Sequence, residues 1–346
     1  MPDRFEWVPD IRRGEWLRPM EAEPFGSVLS VVPRGFQAYA RVFHPVERDR
    51  PHDTKTWQGI DERTYFDGVD DIAAALESER TTWAKVASSF GTTMHFGAQY
   101  AQLVRRDRGN GNVAIAADGW RYTAPLEGCL DAVSLAAACA VLARHTKTPD
   151  AGIAAVWEGW GGLVSSAAVA YLAIETSDGQ PARYTDEAPA HIDDPSLRER
   201  PAAAAKLGIA GARSMIGSLP LLGQGDPKLG FGLLAREVAA GKRFDLHGST
   251  GRHYVLFEVG ANDCADIAWP GRAPWVDEPM WAQSPNVLWP DDHAWVLAAE
   301  IDFDSTLIAG TTKLIKELMQ TPGLEVLAIR TDADLTRAGD RLNRTE

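Results

Sequence analysis

A chain of 346 residues, 45% of them hydrophobic, has the length and composition of a protein with a sizeable core, either one large domain or two ordinary ones, so disorder throughout is excluded. Thirty-five Lys and Arg against 48 Asp and Glu leave a formal charge of −13, which repels phosphate backbones and anionic lipid, so the expectation is no nucleic acid and no membrane as partner. No run of about 18 apolar residues suggests a membrane span, and the opening MPDRFEWVPDIRRGEW lacks the apolar core of a secretory signal, so the expected compartment is the cytoplasm.

In chain order, Phe5 to Pro24 mixes Trp, Pro and charge without a period and reads as an extended segment anchored by Trp7 and Trp16. Ser27 to Val32 and Phe36 to Val46 flank Pro33-Arg34-Gly35 and suggest a hairpin. Ile72, Leu76, Glu79, Trp83, Val86 and Phe90 recur at steps of four and three. That spacing predicts one helix, started by Asp70 or Asp71 and ended by Gly91. A second helix is predicted over Phe96 to Arg106, and an Ala-rich one over Leu130 to His145, buried on most of its circumference and stopped by Thr148-Pro149-Asp150.

Ile153 to Glu158 reads as a buried strand leading into Trp157-Glu158-Gly159-Trp160. From Glu175 to Ala205 Asp, Pro and Arg replace any apolar period, the mark of a linker or an exposed insertion. The expected regions are therefore 1–174, the polar stretch 175–205, 206–330 and a polar tail 331–346 that frays, or one continuous domain with an insertion. Asp226-Pro227 signals the start of a further helix. His253 to Val259 alternates as a strand, and a long loop then carries Trp269, Trp275 and Trp281. After residue 310 come a helix near Thr312 to Gln320, a Pro322-Gly323 stop and a last strand, Leu324 to Ile329.

The central stretch is Asn286 to Asp304, NVLWPDDHAWVLAAEIDFD. Val287 to Trp289, the turn Pro290-Asp291-Asp292 and an alternating run from Ala294 to Asp304 predict a β-hairpin. In that run Trp295, Leu297, Ile301 and Phe303 form a core face. Glu300, Asp302 and Asp304 fall together on the other face, where same-face carboxylates suit a hard divalent cation such as Mg²⁺. Their ordinary alternative is an exposed strand end paired with Lys or Arg.

Val296 to Leu307, VLAAEIDFDSTL, resembles the first motif of the haloacid-dehalogenase phosphatases. The resemblance implies Asp302 as nucleophile and Asp304 as acid/base, with Mg²⁺ between carboxylate and phosphate. Only 42 residues follow Asp304, too few for the parallel sheet that carries the rest of that family's motifs. A second candidate comes from the 12 tryptophans: Trp157, Trp160, Trp275 and Trp281, with Glu158, could line a pocket for a flat or cationic ligand, against the alternative of plain core packing. His247 to His253 has the small residues of an anion-binding loop but not the spacing of a P-loop. Cys129, Cys139 and Cys264 are few and widely spaced, and read as buried thiols.

HTKTPDAGIAAVWEGWGGL (145–163), GRHYVLFEVG (251–260) and SPNVLWPDDHAWVLAAEIDFDSTLIAG (284–310) resemble an uncharacterised family of actinobacterial cytoplasmic proteins. That resemblance implies membership and compartment, and no activity. The fold expectation is α+β, with a mixed, mainly antiparallel sheet from the strands near 153, 253, 287, 294 and 324, covered by helices near 72, 131, 227 and 312. The leading functional expectation is a non-catalytic protein that binds a small molecule or another protein. A metal-dependent hydrolase or phosphotransferase and a Trp-pocket ligand binder are the alternatives.

Overall fold

The computed structural model describes residues 5–69, 71–105, 113–160, 162–164, 232–246 and 252–344. The polar stretch 175–205, the helix start at Asp226-Pro227 and residues 247–251 of the glycine-containing loop lie outside them.

The fold is α+β, with two open antiparallel sheets. In chain order the strands are β1 (Ala38–Phe43), β2 (Val46–Pro51), β3 (Leu76–Thr81), β4 (Val113–Ile115), β5 (Arg121–Thr123) and β6 (Gly152–Trp157). They continue as β7 (Phe244–Asp245), β8 (His253–Glu258), β9 (Val287–Pro290), β10 (Val296–Ala298), β11 (Ser305–Gly310) and β12 (Glu325–Ile329). The large sheet runs β12-β1-β11-β10-β9-β6-β8-β7 and the small one β3-β2-β5-β4. Strands from both sides of the stretch 175–205 thus alternate within one sheet: β6 pairs with β8 and β9, and β1 with β11 and β12.

Both faces of the large sheet are covered, which is why its strands read as nearly continuous apolar runs such as GIAAVW. One face packs Ala154, Val156 and Phe257 against the helices Ala132–Leu142 and Thr312–Leu318. The other packs Ile153, Ala155 and Trp289 against Leu17 and Met20 of the opening segment. That segment is a 3₁₀ helix, Ile11–Ala22, rather than an extended stretch. Trp16 still anchors it, edge-on to Trp289 at 6.2 Å and stacked on His293 at 4.2 Å.

The hairpin expected around Pro33-Arg34-Gly35 does not form. Val28–Ser30 is a 3₁₀ turn capped by Ser27, and β1 pairs with strands from the far end of the chain. The helix expected from Ile72 to Gly91 is broken in three: a turn Ile72–Ala75 capped by Asp71, then β3, then a helix Trp83–Phe90 capped by Thr82. Gly91 does end it, at φ 64°. The break follows from charge. β3 reads LESERT beside β2, VERDRP, and their register sets Arg48 against Glu79, Glu47 against Arg80 and Arg50 against Glu77. Opposite charges directly across an antiparallel pair favour the strand over a helical preference that is weak in any case.

Of the helix expected over Phe96 to Arg106, Tyr100–Leu103 is helical within the described residues, and Phe96 is exposed. The tail is packed on the body over its described residues, which reach 344. Leu335 and Asp340 are buried, the Leu335 N–H donates to Gly26 O at 2.7 Å, and Asp340 accepts from His95 Nε2 at 2.9 Å and the Gln99 N–H at 3.0 Å.

The β9–β10 hairpin forms as expected, with Leu297 opposite Leu288 and His293 at φ 51° in its turn. The long strand does not. β10 ends at Ala298, the chain turns through Ala299 to Asp304, and β11 returns antiparallel beside it. Trp295 and Leu297 are core residues on one face, while Phe303 packs on the opposite one beside Phe25, at 5.9 Å. An acidic turn therefore replaces the acidic strand end.

Candidate functional site

That turn separates the three carboxylates. Glu300 and Asp302 both meet Arg252, at 2.7 and 2.8 Å, whereas Asp304 meets Arg41 at 3.3 Å. The Asp302 side chain is 60% exposed and the Glu300 side chain 7%, so they share a counter-ion without sharing an environment. Burial pushes the Glu300 carboxyl above its usual range, opposed by Arg252. Burial does the same to Asp304, opposed by Arg41. Among the described residues no group of three or more His, Cys, Asp or Glu side chains is placed to hold a metal ion. The same-face geometry that suggested Mg²⁺ needs a strand through residue 304, and the antiparallel sheet around it is not the parallel one of the phosphatase motif.

The tryptophan set is also divided. Trp275 is core, 4.8 Å from the Phe257 ring, with its Nε1–H donating to Gln283 O at 3.1 Å. Trp157 and Trp160 meet edge-on at 6.0 Å but pack against opposite core clusters. Glu158 accepts from Arg243 Nε at 2.8 Å and contacts His253 Nδ1 at 2.9 Å. Trp281 is half-buried and belongs to neither group.

The cavity lies elsewhere, where the two sheets diverge, and has a volume of about 290 Å³. Its floor is a row across the small sheet. Glu47 of β2 is in register with Arg80 of β3 and Thr123 of β5, so the three side chains stand on one face, and all three line the cavity. Facing them are Ala124, Leu126, Cys129 and Asp131, then Ala132 and Val133 at the start of the helix Ala132–Leu142, with Met280 at the rim. His44 and Pro45, the link from β1 to β2, close the bottom.

Each wall has an identifiable fastening. Asp131 caps its helix by accepting from the N–H groups of Val133 and Ser134, both at 3.1 Å. It also accepts from both terminal nitrogens of Arg80, at 3.1 and 3.3 Å, and Arg80 donates further to Ser134 Oγ. Small sheet and helix are thereby clasped across the cavity. Gly128 holds φ at 67° and donates its N–H to Phe303 O at 2.7 Å. A Cβ there would meet the Ile301 backbone at 2.7 Å, so only glycine lets the wall from Leu126 to Asp131 dock on the acidic turn. Cys129 Sγ accepts the Ser284 N–H at 3.3 Å, tying the same wall to the loop before β9.

His44 is buried and committed at every polar atom. Nδ1–H donates to Leu126 O at 2.5 Å, which leaves Nε2 to accept from Thr306 Oγ1 at 2.8 Å. Its N–H donates to Asp304 O at 3.1 Å and its carbonyl accepts from Trp83 Nε1 at 2.9 Å. Burial pushes its pKa down to about 4, against the pull of the Leu126 carbonyl and Asp131. The ring is a neutral brace, not a base with a lone pair to offer. Thr123, by contrast, is 5% exposed and brings a hydroxyl to the cavity lining.

Of the residues singled out in the sequence as site candidates, none lines this cavity; Cys129 was read only as a buried thiol. The lining comes from four separated segments joined by strand register, a relation that no local motif records. Comparisons with protein-family models, with curated proteins and with solved structures find no match to this chain. Among the described residues no helix is long and apolar enough to cross a membrane.

Proposed function

We propose that this chain is a non-catalytic binding protein whose small-molecule ligand occupies the cavity between the small sheet and the helix Ala132–Leu142. The observation that carries the proposal is the composition of the two walls: the polar row Arg80, Glu47 and Thr123 faces the apolar surfaces of Leu126, Ala132, Val133 and Met280. A mostly apolar concavity with a few convergent polar groups is the usual form of a ligand site, and about 290 Å³ lies at the small end of such sites, metabolite-sized rather than peptide-sized.

Binding is favoured over chemistry because the groups that do chemistry elsewhere are here holding the walls. Both His44 ring nitrogens, the Asp131 carboxylate and the Cys129 sulfur all have structural partners. A metabolite library screened by melting temperature tests the proposal, with Ala124→Trp as the cavity-filling control. Ligands that raise the wild-type melting temperature should have no effect on Ala124→Trp. Hits that act equally on both would place binding elsewhere and refute the cavity.

A further inference from the structure

We infer that the ligand of this cavity is an uncharged amphiphile: a small neutral polar head, a hydroxyl or an amide, seated beside Thr123 and Cys129, with an apolar chain that leaves the cavity between Val133 and Met280. The inference rests on the cavity being the binding site. It goes further by fixing the ligand's polarity, its orientation and the two residues that select it.

The mouth supplies the first observation. Val133 and Met280 line the cavity and are 53% and 58% exposed. A single exposed apolar side chain is ordinary, but two from remote segments, brought to one concave mouth, make an apolar surface for a ligand to cover. Neither is placed there by the demands of the core. The helix Ala132–Leu142 buries Leu135, Ala138, Cys139 and Leu142, while Val133 sits in its first turn, where a β-branched residue gains nothing for the helix. Met280 rides on the 3₁₀ turn Pro279–Trp281. The base of that loop is closed by the Trp275 Nε1–H donating to Gln283 O and by the Ser284 N–H donating to Cys129 Sγ. The loop thus holds at the mouth the side chain best able to adapt to apolar surfaces of varied shape.

The inner end supplies the second, independent observation. The lining residues that are themselves buried are His44, Thr123 and Cys129. They bring a neutral imidazole with both nitrogens engaged, a hydroxyl, and a thiol that donates to Ala282 O. The charged lining groups are already answered: Arg80 and Asp131 hold each other, and Glu47 is engaged within the protein. A charged ligand head would therefore lose its water here without gaining a counter-ion. A neutral head loses less, and the Thr123 hydroxyl can meet it as donor or as acceptor.

The test titrates wild type and the double variant Val133→Thr/Met280→Gln calorimetrically with 1-butanol, 1-hexanol and 1-octanol, and with hexanoate and hexylammonium. Both substitutions nearly preserve size and sit at positions more than half exposed, so the fold is spared. Each methylene brought against apolar surface is worth up to about fourfold in affinity. Wild type should bind 1-octanol about tenfold or more tighter than 1-butanol, and 1-hexanol about tenfold or more tighter than either ion. In the double variant the gain from four to eight carbons should fall to about threefold or less, with 1-butanol unchanged. If the double variant does not fold, each single substitution makes the comparison, with part of that reduction expected. A flat alcohol series, an ion that binds as tightly as 1-hexanol, or a chain-length gain that survives the substitutions overturns the inference and leaves the cavity reading standing. So does an equal weakening of all three alcohols, the mark of a purely structural role. No binding of any probe, or a chain-length gain that persists in Ala124→Trp, overturns the inference, and the library screen then judges the cavity on its own.

Discussion

Arg80 and Asp131, 51 residues apart, join the small sheet to the cap of the Ala-rich helix: one carboxylate accepts two guanidinium hydrogen bonds and two helix amides. The two functions separate by substitution. Asp131→Asn keeps an acceptor for the amides and loses the ionic part, worth under about 1 kcal/mol because the Arg80 side chain is 38% exposed. Asp131→Ala also loses the cap, a further cost of about 1 kcal/mol. Urea denaturation of the two variants measures the difference, and equal losses would show that the cap contributes nothing.

Arg41 makes a heavier prediction. It is 1% exposed and donates to Ser305 Oγ at 2.7 Å, Ala98 O at 2.8 Å and Phe96 O at 3.2 Å, besides meeting Asp304. Arg41→Ala strands those acceptors and a mostly buried carboxylate, and should cost about 3–5 kcal/mol. Burial already holds the Asp304 carboxyl above its usual range, so its ionised form weakens the fold progressively as pH rises through that raised value. Without Arg41 the carboxyl rises further, so the variant's deficit should be larger at pH 7 than at pH 5. Adding Asp304→Asn should recover part of the loss at pH 7, and denaturation at the two pH values decides.

His44 predicts the opposite slope. Its folded pKa of about 4 lies below the ordinary 6.5, so between those values the unfolded chain binds the extra proton. Its contribution to stability is complete above pH 6.5 and is lost as pH falls toward 4, at up to about 1.4 kcal/mol per pH unit. The ring resonances of His44 should therefore not titrate between pH 8 and pH 5. A midpoint near 6.5 would refute the buried neutral brace.

Gly128→Ala tests how the cavity wall is hung. The substitution forces a side chain into a left-handed conformation and against the Ile301 backbone, so it should cost about 1–3 kcal/mol or more. Because the same shift moves Cys129 and Asp131, ligand affinity should fall with it. Alanine at a remote open glycine such as Gly35, also at positive φ but with nothing within 4 Å, should lower stability and leave affinity intact.

How far the sequence reveals all this depends on whether a feature is local. The β9–β10 hairpin is legible because its turn chemistry lies between its strands, and β6 and β8 are legible because sheets buried on both faces or alternating along a strand leave a local pattern. β3 is not, since Ile72, Leu76, Trp83 and Val86 happen to fall at helical spacing and the partner that makes LESERT a strand lies in β2. Glu300, Asp302 and Asp304 mislead for the same reason: their alternation is real, but the chain has turned before it can act. The cavity is least legible of all. Glu47, Arg80, Thr123 and Asp131 are unremarkable in their own surroundings and meet through register and one ion pair.

The most direct measurement is amide chemical-shift mapping of the isotope-labelled protein during titration with the strongest hit of the metabolite screen. The account predicts perturbations centred on residues 44–47, 80, 123–133 and 280, from the four segments that line the cavity. Perturbations centred instead on Trp157 to Trp160, or on the turn from Glu300 to Asp304, would contradict it.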